Sequence, residues 1–205
     1  MNNPNYFHYQ KVLSGLTGSF SHPISALDIG CGTGRFFHTL KNTKELWGID
    51  VAPNMLQYAK DPVKKDEVQI ADIKLMEGNV FNYDFGGKKF DFIYSVGVLG
   101  EHAPFDTGMA NIIYDLLTPG GKTFFTIVDL DDRKSPQRKM MEALYPLFPK
   151  NVKRMFDERW KINYMTYKQL DKVVQASKFT DYKLQKHKSE DPTWKGAHLE
   201  VIATK

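Results

Sequence analysis

A single cysteine, Cys31, occurs in these 205 residues, which excludes internal disulfides and thiolate metal cages and favours a reducing compartment. Long hydrophobic runs are missing too. No stretch approaches the ~20 apolar residues of a bilayer span, and the polar start "MNNPNYFHYQK" lacks the apolar centre of a secretory signal. Together these absences predict a cytoplasmic protein with no membrane span. Charge of one sign is not in excess either: the net charge of +4 and pI of about 8.9 fall short of the one-sided basic face of a dedicated nucleic-acid binder, so nucleic acid is disfavoured as a partner. Repeats, low-complexity tracts and a recognisable metal-ligand pattern are also lacking.

What is present fits one domain with an elaboration. A hydrophobic fraction of 41%, with 14 Phe and 10 Tyr, is enough for a substantial core. After an N-terminal segment (1–23), "ISALDIG" reads as a buried strand ending in glycines and "GRFFHTLKN" as the opening of a helix. "ELWGID" is a second strand, "PNMLQYAK" a helix, and "ADIKLMEGN" and "KFDFIYSV" are further strands. Asp106 caps a helix whose Met109, Ile112, Ile113, Leu116 and Leu117 recur at helical spacing until "TPGG" stops it. "KTFFTIVD" is the next strand. The alternation predicts an α/β three-layer sandwich around a mostly parallel sheet. Residues 131–165 break the alternation and read as an insertion after the fifth strand. Residues 166–205 then supply a helix and a strand pair, "DYKLQKHK" and "AHLEVIATK", with the last strand antiparallel.

In "ALDIGCGTGRF", Gly30, Gly32 and Gly34 follow a strand and precede a predicted helix. Glycines there let the backbone turn sharply and approach a ligand with no Cβ in the way, at the strand ends where open α/β sheets bind ligands. The spacing is G-x-G-x-G and not the G-x-G-x-x-G of dinucleotide sites. Asp28, beside the loop, suits a cationic ligand better than a pyrophosphate. A nicotinamide-dependent oxidoreductase is therefore disfavoured. Asp50 ends the second strand, where its two oxygens can accept the two hydroxyls of a ribose. An adenosine with a positively charged tail, such as S-adenosylmethionine, matches both acids.

On these motifs the chain resembles the class I, seven-stranded, Rossmann-like methyltransferases that use S-adenosylmethionine, in their small-molecule branch. "LDIGCGTG" and "GIDVAPNML" match the family's first two motifs. "EGNVFNYDF", "FDFIYSVGVL" and "LLTPGGKTFFTIVD" follow in the family's order, so the resemblance covers residues 24–130 and 166–205. It implies seven strands with 24–130 as the cofactor-binding core, and a cofactor set of Asp28, Gly30, Cys31, Gly32, Gly34, Asp50, Val51, Met55, Asn79, Val80, Ser95 and Val96. Within that set Met55 would lie on the adenine face and Asn79 would stand where the family often has an acid. Cys31 also reads as a small loop filler.

The acceptor side is less distinctive. Glu101 and His102, in "SVGVLGEHAPF", fall on the rim facing the transferred methyl, and His102 has the proton affinity of a general base near neutral pH. The insertion 131–165 and the segment 1–23 read as lids. They offer Arg138, Tyr145, Trp160, Tyr6 and Tyr9 as substrate contacts, though such aromatics equally suit the lid's own small core. A net basic lid tilts the expectation toward an anionic small-molecule acceptor, methylated on oxygen or nitrogen. The Pro-Pro-aromatic signature of base amine methylation does not follow the fourth strand. The alternative is a catalytically silent protein that binds the cofactor as an accessory subunit.

Overall fold

The computed structural model describes residues 4–133, 136–153, 163–189 and 196–205. Seven strands, β1 (Ile24–Ile29), β2 (Thr43–Asp50), β3 (Asp72–Glu77), β4 (Phe90–Ser95), β5 (Leu117–Val128), β6 (Asp181–Lys188) and β7 (Ala197–Thr204), form one sheet. Their order is β3-β2-β1-β4-β5-β7-β6. The pairings among β1 to β5 are parallel, while β7 runs antiparallel to both β5 and β6. This is the expected mostly parallel sheet with its last strand reversed. β1 is buried along its whole length, which explains why it reads as a nearly continuous apolar run.

Helices cover both faces: α1 (Pro4–Gly18), α2 (Pro53–Ala59), α3 (Thr107–Leu116), α4 (Leu130–Arg133), α5 (Pro136–Leu144) and α6 (Tyr167–Gln175). Strand alternation splits the core in two. Phe125, Ile127, Leu199 and Val201 point to one side, where they meet Met109 and Ile113 of α3 and Leu170 and Val174 of α6. Phe124, Phe92 and Tyr94 point to the other and meet Tyr9 and Leu13 of α1 and Leu56 of α2. Local chemistry sets the helix starts. Asp106 Oδ1 accepts from the Met109 N–H at 2.9 Å, and Thr166 with Gln169 closes a capping box on α6.

One expected helix is not formed. "GRFFHTLKN" makes turns and a short 3-10 segment, Phe37–Thr39, before β2 begins at Thr43. The glycine turn consumes the start of a crossover that spans only residues 30–42, close to the minimum for joining parallel strands. Phe36, Phe37 and Leu40 are all buried, so the remainder packs inward instead of presenting one apolar stripe. α1 covers that part of the sheet: Tyr6 stacks on Phe36 with centroids 5.6 Å apart, and Gln10 Nε2 meets His38 Nε2 at 2.7 Å.

Two other segments refine the reading. "TPGG" ends α3 but lies inside β5 as a bulge, because the β4 pairing jumps from Phe90↔Leu117 to Phe92↔Lys122. The insertion after β5 leaves and returns at one place. Leu130 N–H donates to Met165 O at 2.9 Å and Met165 N–H to Val128 O at 3.4 Å, so an excursion of this length leaves the β5 end undisturbed.

Candidate functional site

A cleft of about 550 Å³ opens at the carboxyl ends of β1 to β4, where β1 has its strand neighbours on opposite sides and the connections diverge. Its floor comes from Ile29 and Gly30 after β1, Ile49 and Asp50 at the end of β2, and Gly78 to Phe81 after β3. Val51, Ala52 and Met55 flank one side, and the loop after β4 supplies Val98 to Leu99 and His102 to Pro104 on the other.

The glycine loop is held against this cleft by backbone and by one carboxylate. Gly30 N–H donates to Ile49 O at 2.8 Å and Cys31 N–H to the same oxygen at 3.2 Å. Asp50 Oδ2 accepts from the Gly32 N–H at 2.8 Å and Oδ1 from the Ala52 N–H at 2.9 Å. Each oxygen retains a further lone pair for a ligand hydroxyl. All three loop glycines have left-handed φ, 72°, 52° and 70°. Gly30 must also lack a side chain, since a Cβ there would come within 2.4 Å of Val98.

Asp28 lies beneath the loop, only 4% exposed, and is not on the cleft wall. Burial pushes its carboxyl up to about 7, against the opposing effect of the Tyr94 hydroxyl beside it and of Arg35. Such a carboxyl gains from a nearby cation, which favours its charged form. Cys31 is buried, and burial pushes its thiol up, so the nucleophilic thiolate is disfavoured. A Cβ on Gly48 would sit 3.0 Å from its sulfur, consistent with a packed filler.

Residues 26–121 match the family described as Methyltransferase domain. Over 101 residues the chain is 34% identical to the demethylmenaquinone methyltransferase of Geobacillus sp. (strain WCH70), covering 47% of this chain and 42% of that enzyme. It is 28% identical over 104 residues to the ubiquinone biosynthesis O-methyltransferase of Coxiella burnetii (strain RSA 493 / Nine Mile phase I), covering 50% and 43%. The chain thus spans less than half the length of these two relatives. A solved structure of Haemonchus contortus phosphoethanolamine N-methyltransferase 2 in complex with S-adenosyl-L-methionine superposes with a TM-score of 0.68 at 16% identity. That match covers 97% of this chain and 52% of that one. The stretch 26–121 is thus similar to a methyltransferase domain, and the sheet shares the fold of the S-adenosyl-L-methionine-bound structure.

Of the expected cofactor residues, the fold brings Gly30, Asp50, Val51, Met55, Asn79 and Val80 together around the cleft. Asn79 Oδ1 already accepts from the Phe81 N–H at 3.0 Å, so it shapes the turn after β3 as well as facing the opening. Gly32 and Gly34 hold the turn from behind. Ser95 and Val96 are buried below it, with Ser95 Oγ donating to Ile29 O at 2.9 Å, a tie between β4 and β1.

On the acceptor side, His102 lines the cleft, its N–H donating to Val98 O at 2.9 Å. The Glu101 carboxylate faces His198 Nε2 at 3.8 Å. Tyr6 and Tyr9 are buried in the α1 core and do not line the cleft, because helical periodicity turns them toward the sheet while Phe7 faces outward. Tyr145 packs edge-on against Phe148, centroids 6.2 Å apart. The Arg138 side chain and all of Trp160 lie outside the described residues. Among the described residues, no helix is long and apolar enough to cross a membrane.

Sequence reasoning missed Phe81, Val98, Leu99, Ala103 and Pro104 as cleft residues. Their only signal was position just past β3 and β4, and apolar loop residues carry no chemical label. It also passed over Arg35, whose guanidinium lies 4.8 Å from the Phe36 ring centroid and within reach of Gly97.

Proposed function

We propose that this chain transfers a methyl group from S-adenosylmethionine to an oxygen or nitrogen of a small molecule. The observation that carries the reading is the Asp50 carboxylate, which braces the glycine loop and keeps lone pairs directed at the cleft where a ribose would lie. The sulfonium supplies the leaving group. The protein's share is to hold the cofactor, align the acceptor, exclude water and remove a proton where the acceptor carries one.

His102, at the cleft rim after β4, is the proposed base. The insertion 131–165, anchored at Met165 and touching the rim through Asn163 Nδ2 to Glu101 O at 3.2 Å, is the proposed lid. For the acceptor we favour a hydroxylated ring that ionises to an oxyanion. The apolar cleft wall of Val80, Phe81, Val98 and Leu99 suits a ring, the two relatives are named for quinones, and the basic insertion suits an anion. The catalytically silent reading shares the same cofactor site, so only turnover separates them. Incubation with S-adenosylmethionine and a panel of hydroxylated quinone precursors, phenols and amines, read as S-adenosylhomocysteine formed, should give product with a hydroxylated ring. Tight cofactor binding with no product from the whole panel would favour the accessory role.

A further inference from the structure

Away from the cleft, α1, β6 and β7 bring His8, His187 and Glu200 into one cluster, their ligand-type atoms all within 4.8 Å of one another. Glu200 is a fully buried carboxylate in the sheet, its side chain 0% exposed. His8 Nε2 lies 2.6 Å from its Oε1, and Gln185 Nε2 donates to its Oε2 at 2.8 Å. His187 lies across from His198 on the next strand and stacks on His8 with ring centroids 3.5 Å apart and planes within 3°. Aromatic rings avoid such full overlap unless other groups hold them.

We propose that His8, His187 and Glu200 form a binding site for a divalent first-row transition-metal ion, with zinc(II) the best fit. Two imidazoles with one carboxylate is a zinc donor set, and magnesium and calcium prefer oxygen alone. Ligand atoms around a tetrahedral zinc lie about 3.3 Å apart. Seating the ion requires His8 Nε2 and Glu200 Oε1 to part from 2.6 Å and the stacked rings to turn, with Gln185 orienting the buried carboxylate behind them. The two histidines also give an entry path from solvent, and among the described residues three side chains supply ligands, which leaves a fourth position for water. Occupancy would staple α1, and with it the Tyr6 and Tyr9 side of the core, to the β6–β7 edge. The proposal is independent of the methyl-transfer reading, because none of these residues lines the cleft.

The test is a titration of the untagged, metal-stripped protein with zinc(II), and in parallel with cobalt(II), whose visible absorption reports tetrahedral nitrogen and oxygen ligands. Wild type should bind one equivalent, and zinc should slow amide exchange in α1. His8→Ala and His187→Ala should each weaken binding by more than about tenfold while leaving S-adenosylmethionine affinity unchanged. Absence of saturable binding would overturn the proposal, as would equal affinity in both folded histidine variants. Loss of cofactor binding with zinc binding retained would count against the function proposed above and not against this site.

Discussion

Asp50→Asn is the sharpest perturbation of the proposed cofactor site, because the carboxylate serves the loop and the ligand with the same two oxygens. In the native protein they accept from Gly32 and Ala52 at 2.8 and 2.9 Å. An asparagine can satisfy one of these donors; whichever way the amide turns, its NH2 confronts the other N–H. Losing one hydrogen bond to a charged acceptor at a partly exposed site costs about 1–2 kcal/mol, and the lost ribose acceptor adds about 1 kcal/mol. Since tenfold in affinity is about 1.4 kcal/mol, S-adenosylmethionine should bind roughly 30- to 150-fold more weakly. Calorimetric titration reads this directly, with circular dichroism to verify the fold and amide exchange at Gly32 and Ala52 to report the loosened loop. Affinity within about twofold of wild type in a folded variant would refute both the loop-bracing and the ribose argument.

Asp28 links the fold to pH. Its folded pKa, about 7, lies above the unfolded value. The folded state therefore binds the extra proton, and stability falls as pH rises from about 4 to 7. Asp28→Asn should raise the melting temperature at pH 8 but hardly at pH 4, and an equal gain at both would contradict the burial argument. Binding of the cationic cofactor should release a proton near pH 7, seen as a calorimetric enthalpy that changes with buffer ionisation heat; buffer-independent heat would show that Asp28 does not sense the ligand. Gly30→Ala, which drives a Cβ into Val98, should destabilise the fold by about 1–3 kcal/mol. It should do so by more than Gly32→Ala, whose Cβ meets nothing within 4 Å, and equal losses in chemical denaturation would remove the steric argument. For His102→Ala, cofactor affinity should hold while turnover drops by about 100-fold, and an unchanged pH–rate profile would exclude it as the base.

Much of the architecture was legible because short-range chemistry and tertiary need agree. β1 and β4 are buried on both faces and announce it as apolar runs, Asp106 and Thr166 mark helix starts with their own side chains, and left-handed glycines at 30, 32 and 34 leave a spacing that reads directly as a loop. Asp50 was legible for the same reason: a strand-end acid in register with that loop. The helix expected after Gly34 failed where the two needs conflict. Helical propensity is local, but the length of the crossover and the burial of Phe36, Phe37 and Leu40 are set by the β1–β2 pairing and by α1, far earlier in the chain. Likewise Tyr6 and Tyr9 carried no sign of which helix face would meet the sheet.

The sequence by itself determined the sheet's direction of build, the glycine loop and the acid beside it, since each rests on residues close together in the chain. Only the tertiary structure decided that Glu101 faces His198, that the cleft is walled by Phe81 and Val98, and that His8 meets His187 and Glu200. Those pairings join residues up to 192 positions apart, and no local pattern encodes a contact that exists only once β7 has inserted between β5 and β6.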